Sequence, residues 1–293
     1  MDIRAHHDKI DSTDQRLNQD MPASTDSDLS DLLNLLGEAG RYLADIDTSE
    51  GAAGNLSLCV RGELDPRNLF PVNATVELPL AVPALAGATL LVSGSGRRLR
   101  EIKEDPQGNI ACLVIGEDGV TAQQFTAVNC RFTRVTSEFN SHLAVHYDQL
   151  LTHKVDFHAI IHVQPVHLTY LSHIPRYQDE LFLNTHLLRW QPETILNMPE
   201  GIGFMPFQVP GSADLMSANA IWARNHRLVV WAKHGVIARS DQSLMNAVDL
   251  VEYTETAARY EYLNLTSGEP ASGLSREEIR AICEANNINQ DFF

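Results

Sequence analysis

The ten residues Leu228-Val229-Val230-Trp231-Ala232-Lys233-His234-Gly235-Val236-Ile237 decide how this chain is read. Apolar, β-forming residues run up to Trp231 and resume at Val236, so the stretch reads as strand interrupted by Lys233, His234 and Gly235. A second place of the same kind lies upstream. Phe157 to His162 is an apolar strand that ends in His162-Val163-Gln164-Pro165, where the proline stops the hydrogen-bond ladder. At strand spacing residues 162 and 164 share a face, so two ligands there can share one ion. The two strand-end histidines, His162 and His234, either meet at a cleft or are ordinary core and turn residues. Spacing alone leaves both open.

Working outward, Asn55 to Val60, Thr89 to Ser93, Ile110 to Ile115 and Ala127 to Val135 are further β-rich runs, with Glu117-Asp118-Gly119 as a turn between them. Helical spacing marks Leu32, Leu33, Leu35, Leu36, Ala39, Tyr42 and Leu43, then Phe139 to Leu151, then Ser243 to Leu263. Ser27, Asp28 and Ser30 can cap the first helix, and Ser275-Arg276-Glu277-Glu278 opens the last with acid in its first turn. Residues 1–28 are polar and lack hydrophobic periodicity, which reads as a flexible leader. Residues 29–293 then form a single α/β domain.

The composition excludes several classes. Of 293 residues, 22 are basic and 38 acidic, a formal charge of −16 that is wrong for a nucleic-acid binder. No apolar run approaches the roughly 20 residues of a membrane span, and the polar start lacks the apolar core of a secretory signal. The four cysteines, Cys59, Cys112, Cys130 and Cys283, are scattered without a pairing pattern. A reducing cytoplasm is the expected setting.

Other segments could carry chemistry. His142 and His146 sit four apart on the predicted helix, as a metal pair or as part of a polar helix face beside the core. Ser93-Gly94-Ser95-Gly96-Arg97 offers hydroxyls, backbone N–H groups and a cation, the makings of a phosphate nest. Glu50 to Ser57 is a glycine-containing turn into a strand. Thr136-Ser137-Glu138 closes a strand and opens a helix, a setting that suits either phosphate or simple capping.

Taken in order, these blocks resemble the class II aldolase/adducin family. The matching segments are Gly54-Asn55-Leu56-Ser57-Leu58, Val92-Ser93-Gly94-Ser95-Gly96, Thr136-Ser137-Glu138 and Ile161-His162. They continue with Pro199-Glu200-Gly201-Ile202-Gly203 through Val209-Pro210-Gly211, Trp231-Ala232-Lys233-His234-Gly235-Val236, and Ser275-Arg276-Glu277-Glu278. The resemblance implies one α/β domain with a mostly antiparallel central sheet and helices on both faces. It also implies a homotetramer with active sites at subunit boundaries and one zinc or other divalent ion per subunit. The implied activity is cleavage of a ketose 1-phosphate, such as L-rhamnulose 1-phosphate, to dihydroxyacetone phosphate and an aldehyde, the ion stabilising the enediolate.

Carried over by position, His162 and His234 fall on two of the three metal histidines. Glu138 is the carboxylate beside the metal that acts on protons at the cleaved bond, and Glu193 is a second acid, a general base. Gly54, Asn55, Ser95, Thr136 and Ser137 fall on phosphate-binding positions. The third metal position is Gln164, a neutral oxygen donor where the family has imidazole, and Ala52 replaces an asparagine of the substrate pocket. An adducin-like binding or assembly module that has lost its metal site is therefore the alternative function.

Overall fold

A computed structural model describes residues 29–62 and 64–293; the leader and the capping residues Ser27 and Asp28 lie outside the described residues. The strands are β1 (Asn55–Val60), β2 (Val72–Glu77), β3 (Thr89–Ser93), β4 (Ile110–Ile115), β5 (Thr121–Thr126), β6 (Phe157–Val163), β7 (Gly203–Met205), β8 (Leu228–Trp231) and β9 (Gly235–Ser240). The helices are α1 (Leu29–Asp45), α2 (Pro106–Asn109), α3 (Phe139–His153), α4 (Val166–Leu171), α5 (Glu180–Leu187), α6 (Pro192–Asn197), α7 (Ala213–Trp222), α8 (Leu244–Thr266) and α9 (Arg276–Asn286).

The nine strands make one sheet in the order β2-β5-β4-β3-β1-β6-β9-β8-β7. Every pairing is antiparallel except β7 with β8. Alternation along the strands divides the core between the two faces. Leu56 and Leu58 of β1 and Ile161 and Val163 of β6 join the cluster shared with α1 and α8. Cys59 of β1 and Ile160 of β6 face the other way, toward clusters that hold Leu143 and Val145 of α3 and Leu215 of α7. Helices thus cover both faces, as expected. Apolar area buried at roughly 25 cal/mol per Å² is the main force holding these layers together.

Local sequence explains the helix ends. Ser243 and Ser212 accept from the N–H groups of Asn246 and Leu215, capping α8 and α7. Ser275 and Glu278 form a reciprocal capping box at α9. In α1, Leu32, Leu33, Leu36, Ala39 and Leu43 are buried, whereas Tyr42 turns outward to bond Glu252 at 2.6 Å.

Two expectations need correction. Ala127 to Val135 is not a strand: the strand lies just before it, in β5, and the segment returns as a loop held by an isolated bridge between Gly94 and Val135. The interrupted run at 228–237 is two antiparallel strands, β8 and β9, joined by a tight turn. Lys233 takes a left-handed φ of 63° there, with its N–H fixed by the Ser172 hydroxyl at 2.7 Å. The described cysteines are all free thiols, and among the described residues no helix is long and apolar enough to cross a membrane.

Candidate metal centre and active site

The register of the central strands builds the site. Asn55 opens β1 directly opposite His162 of β6, so both side chains leave the same face of the sheet. The β8–β9 turn brings His234 to the same end, with the His162 and His234 ring centroids 4.8 Å apart. The two strand-end histidines do meet. Glu138, at the N-cap of α3, completes the group: its carboxylate oxygens lie 3.4 Å from Nε2 of His162 and 3.4 Å from Nε2 of His234. Asn55 donates from Nδ2 to Glu138 Oε2 at 2.8 Å.

His162 is held on three sides. Its Nδ1 donates to the Val236 carbonyl at 2.8 Å, which turns Nε2 toward the carboxylate. Its ring stacks on Trp231 at 4.6 Å, and the indole donates to Asn219 at 3.1 Å. Burial pushes the Glu138 carboxyl up, but His162, the Asn55 amide and His234 outweigh it and hold it below the usual carboxylate range. Burial and the neighbouring His162 push His234 down to about 4, against the pull of Glu138.

These groups fit a divalent ion. One donor atom from each of Glu138, His162 and His234 lies within 4.8 Å of the others. Donors held at zinc-bond length around a tetrahedral ion lie about 3.4 Å apart. Two imidazoles and a carboxylate form a borderline-soft set suited to zinc, and the Val236 carbonyl supplies the outer partner that metal-binding histidines usually have. On the other ring, His234 Nδ1 is buried without a partner. The sequence places Glu138 at proton transfer; the geometry also brings its carboxylate within reach of the same point as the two imidazoles.

Gln164 is the first residue beyond β6, half-buried, with its N–H bonded to the Thr48 carbonyl at 2.8 Å. Its Cγ lies against Gly235: a Cβ added there would stand 3.0 Å from Gln164 Cγ, 3.2 Å from His162 Cε1 and 2.4 Å from the Val163 carbonyl. Gly235→Ala is therefore expected to cost about 1–3 kcal/mol by overpacking. Urea denaturation measures it, and an unchanged midpoint would contradict this close approach.

The anion-binding candidates are only partly available. Gly94, Ser95 and Arg97 give their N–H groups to the carbonyls of Asn109, Arg134 and Gly94. The Arg97 guanidinium is tied to Asn109 and Glu101. The free cation and most of the N–H donors of the nest expected at Ser93 to Arg97 are thus taken, chiefly by carbonyls and side chains from outside the turn. Hydroxyls remain: Ser95 is half-buried, Thr136 is buried, and Ser137 is exposed at the entry to α3. Gly54 adopts a φ of 87°, and a Cβ added there would stand 3.0 Å from the His162 carbonyl oxygen, so a side chain is disfavoured. Glu193 is exposed in the first turn of α6 and is not part of the Glu138 group.

Some participants had no sequence signal. The Val236 carbonyl and the hydroxyl of Ser93, which accepts from Leu56 N–H at 3.1 Å, act through backbone that only the register positions. Trp231 lay in a recognised block, but its stacking on a residue of β6 could not be read from spacing.

Fold and site together define an α/β protein with a carboxylate–histidine centre at the ends of its middle strands. The chain matches the model of the class II aldolase and adducin N-terminal domain over residues 34–262, and it belongs to that family. It is 26% identical over 258 residues to a rhamnulose-1-phosphate aldolase of Bacteroides thetaiotaomicron, covering 87% of this chain and 94% of that one. A rhamnulose-1-phosphate aldolase of Yersinia pestis is 29% identical over 241 residues, covering 80% and 85%. Among solved structures, a sugar-phosphate aldolase from Thermotoga maritima superposes with a TM-score of 0.70 at 26% identity, covering 83% of this chain and 99% of that one.

Proposed function

We propose that this protein is a metal-dependent lyase that cleaves a ketose 1-phosphate, with L-rhamnulose 1-phosphate the first candidate, to dihydroxyacetone phosphate and an aldehyde. The observation that carries the reading is the convergence of Glu138, His162 and His234 within one family-typical site. His162, His234 and Glu138 would hold zinc or another divalent ion, one per subunit, with Gln164, whose Cγ packs against Gly235, as a further oxygen donor. Such an ion supplies Lewis-acid polarisation of the ketose oxygens.

The chain's own residues do the rest. Glu138, kept anionic by its neighbours, takes the proton from the hydroxyl on the carbon that becomes the aldehyde. Asn55 orients that carboxylate through one amide hydrogen and keeps a second for the phosphate. The hydroxyls of Ser95, Thr136 and Ser137, with the side-chain-free backbone at Gly54, complete the phosphate subsite. Glu193 is assigned as the second acid, the general base. Its exposure on α6 suits service to a neighbouring copy in a homotetramer with active sites between subunits. A reducing cytoplasm accords with the free thiols.

Metal content by mass spectrometry, on untagged protein purified without chelator, followed by an assay for dihydroxyacetone phosphate, tests the reading. About one zinc per chain with product from rhamnulose 1-phosphate supports it. Protein that takes up no zinc and releases no product establishes the non-catalytic, adducin-like module instead. Gln164→His restores the third imidazole and is expected to tighten zinc binding by about 10–100-fold, the scale on which ligand-shell changes act. Affinity that stays level in a competition titration shows that residue 164 faces away from the ion.

A further inference from the structure

Behind the site runs a second polar feature that the proposed chemistry does not use. Four residues of an α-helix advance about 6 Å, and two residues of a strand about 6.6 Å, so the first turn of α3 steps from Asn55 to Ser57 along β1. Glu138 pairs with Asn55, and one turn later His142 Nδ1 lies 2.7 Å from the Ser57 hydroxyl. A further turn on, His146 Nε2 lies 2.8 Å from the same hydroxyl. The chain continues into β6, where His146 Nδ1 lies 2.8 Å from His158 Nδ1. All four side chains are fully buried, and the outer ring nitrogens, His142 Nε2 and His158 Nε2, have no partner. The pair His142 and His146 thus forms a polar helix face turned into the core, joined through the Ser57 hydroxyl.

Hydrogen counting shows what this chain can do. Burial pushes His142 down to about 3 and holds His146 and His158 well below the usual histidine range, so all three are neutral. Three neutral imidazoles and one hydroxyl carry four hydrogens, while the three links use only three. With the spare hydrogen on His142 Nε2, Ser57 donates to His142, His146 Nε2 donates to Ser57, and His158 Nδ1 donates to His146. Reversing every bond puts the spare hydrogen on His158 Nε2. A third arrangement strands it on the Ser57 hydroxyl. The surrounding charges choose among these. His142 lies in the field of the Glu138 carboxylate and of His162, and His158 in the field of the Arg239 guanidinium and of His153. An N–H is drawn toward an anion and repelled by a cation, so Glu138 and Arg239 favour the same direction.

We propose that Ser57, His142, His146 and His158 are one directional hydrogen relay that holds His142 in its Nε2-protonated form beside Glu138, making Ser57 a positioning residue for that carboxylate. The N–H dipole at the end of the relay stabilises Glu138 as an anion, and in turn the anion orients the whole chain. The proposal rests on the reading of Glu138 as the carboxylate of the active site.

Nitrogen-15 NMR of the full-length, histidine-labelled protein tests it. The expected spectrum has one tautomer per ring: hydrogen on Nε2 of His142 and His146 and on Nδ1 of His158, unchanged between pH 6 and 8. The reversed set, or a charged imidazole among the three, overturns the proposal. Ser57→Ala removes the link and is expected to turn His142 into a mixture of tautomers, while Ser57→Thr keeps the hydroxyl and the wild-type pattern. A folded alanine variant with wild-type tautomers overturns the relay. If that variant does not fold, the wild-type and threonine spectra decide. Glu138→Gln is expected to admit the reversed set as a second population; unaltered populations overturn the link to Glu138. No readout here needs zinc or turnover, so the relay can fail while the lyase assignment stands, and the reverse.

Discussion

His234→Ala is expected to yield protein without bound zinc and without ketose-phosphate cleavage. The donor set offers two imidazoles and one carboxylate, and His234 Nε2 lies 3.4 Å from Glu138. Its removal leaves His162 and Glu138 as the charged and nitrogen donors, with only the neutral Gln164 carbonyl at hand. Loss of one imidazole from such a set costs about 4 kcal/mol on the scale of zinc-site energetics, or roughly a thousandfold in affinity. The fold should survive. His234 sits in a turn whose geometry is set by Gly235, by Lys233 and by the bond from His234 N–H to the Trp231 carbonyl at 3.0 Å, none of which needs the imidazole. Zinc content after dialysis and a circular-dichroism melt measure the two halves separately. Zinc retained at the wild-type level would show that the ion, if bound, is held elsewhere.

The second large effect is acid lability. His142, His146 and His158 are neutral in the folded protein because burial strips water from their charged forms. In the unfolded chain each takes a proton near the ordinary histidine value. The unfolded state therefore binds more protons below about pH 6.5, and stability falls as pH drops through that value toward the folded value of about 3 for His142. Three such groups imply a slope approaching 4 kcal/mol per pH unit at its steepest. Glu138 adds a smaller loss of the same sign at lower pH: its carboxyl is held down in the fold, so its contribution is present above the ordinary carboxylate value and lost below it. Urea midpoints at pH 7.5, 6.5 and 5.5 measure the slope. His158→Phe should flatten it by about a third, since one of the three neutral imidazoles is gone. A midpoint flat across this range would mean that the buried histidines exchange protons freely in the fold.

Much of the scaffold was legible in one dimension. β1, β3 and β4 fall where short β-branched and leucine-rich runs are bounded by glycine, and α9 begins at its capping box. Local chemistry of this kind needs no partner to be read. β2 escaped because its burial is low: it is exposed at five of six positions, so its Val72-Asn73-Ala74-Thr75 start carries no hydrophobic pattern. It is a strand because β5 offers it a ladder along six residue pairs. The phosphate nest failed for a related reason. Glycine, serine and arginine in a short turn show which donors exist, whereas their occupation by Asn109, Arg134 and Glu101 depends on chain that arrives from elsewhere.

The site divides along the same line. From residue order alone came the strand-end histidines, the Thr136-Ser137-Glu138 entry to α3, and the replacement at Gln164, because each is a statement about neighbours in the chain and about side-chain chemistry. Tertiary structure alone decided that Glu138 converges with both His162 and His234, that Trp231 and the Val236 carbonyl hold the ring of His162, and that His142, His146 and His158 line up through Ser57. Those relations span up to 96 residues of sequence and depend on register and packing: Asn55 opposite His162, and α3 placed so that Glu138 meets Asn55 while His142 and His146 both reach Ser57. A one-residue slip of β6 would send His158 and His162 to the face now filled by Ile161 and Val163, and the centre would vanish with no change in composition.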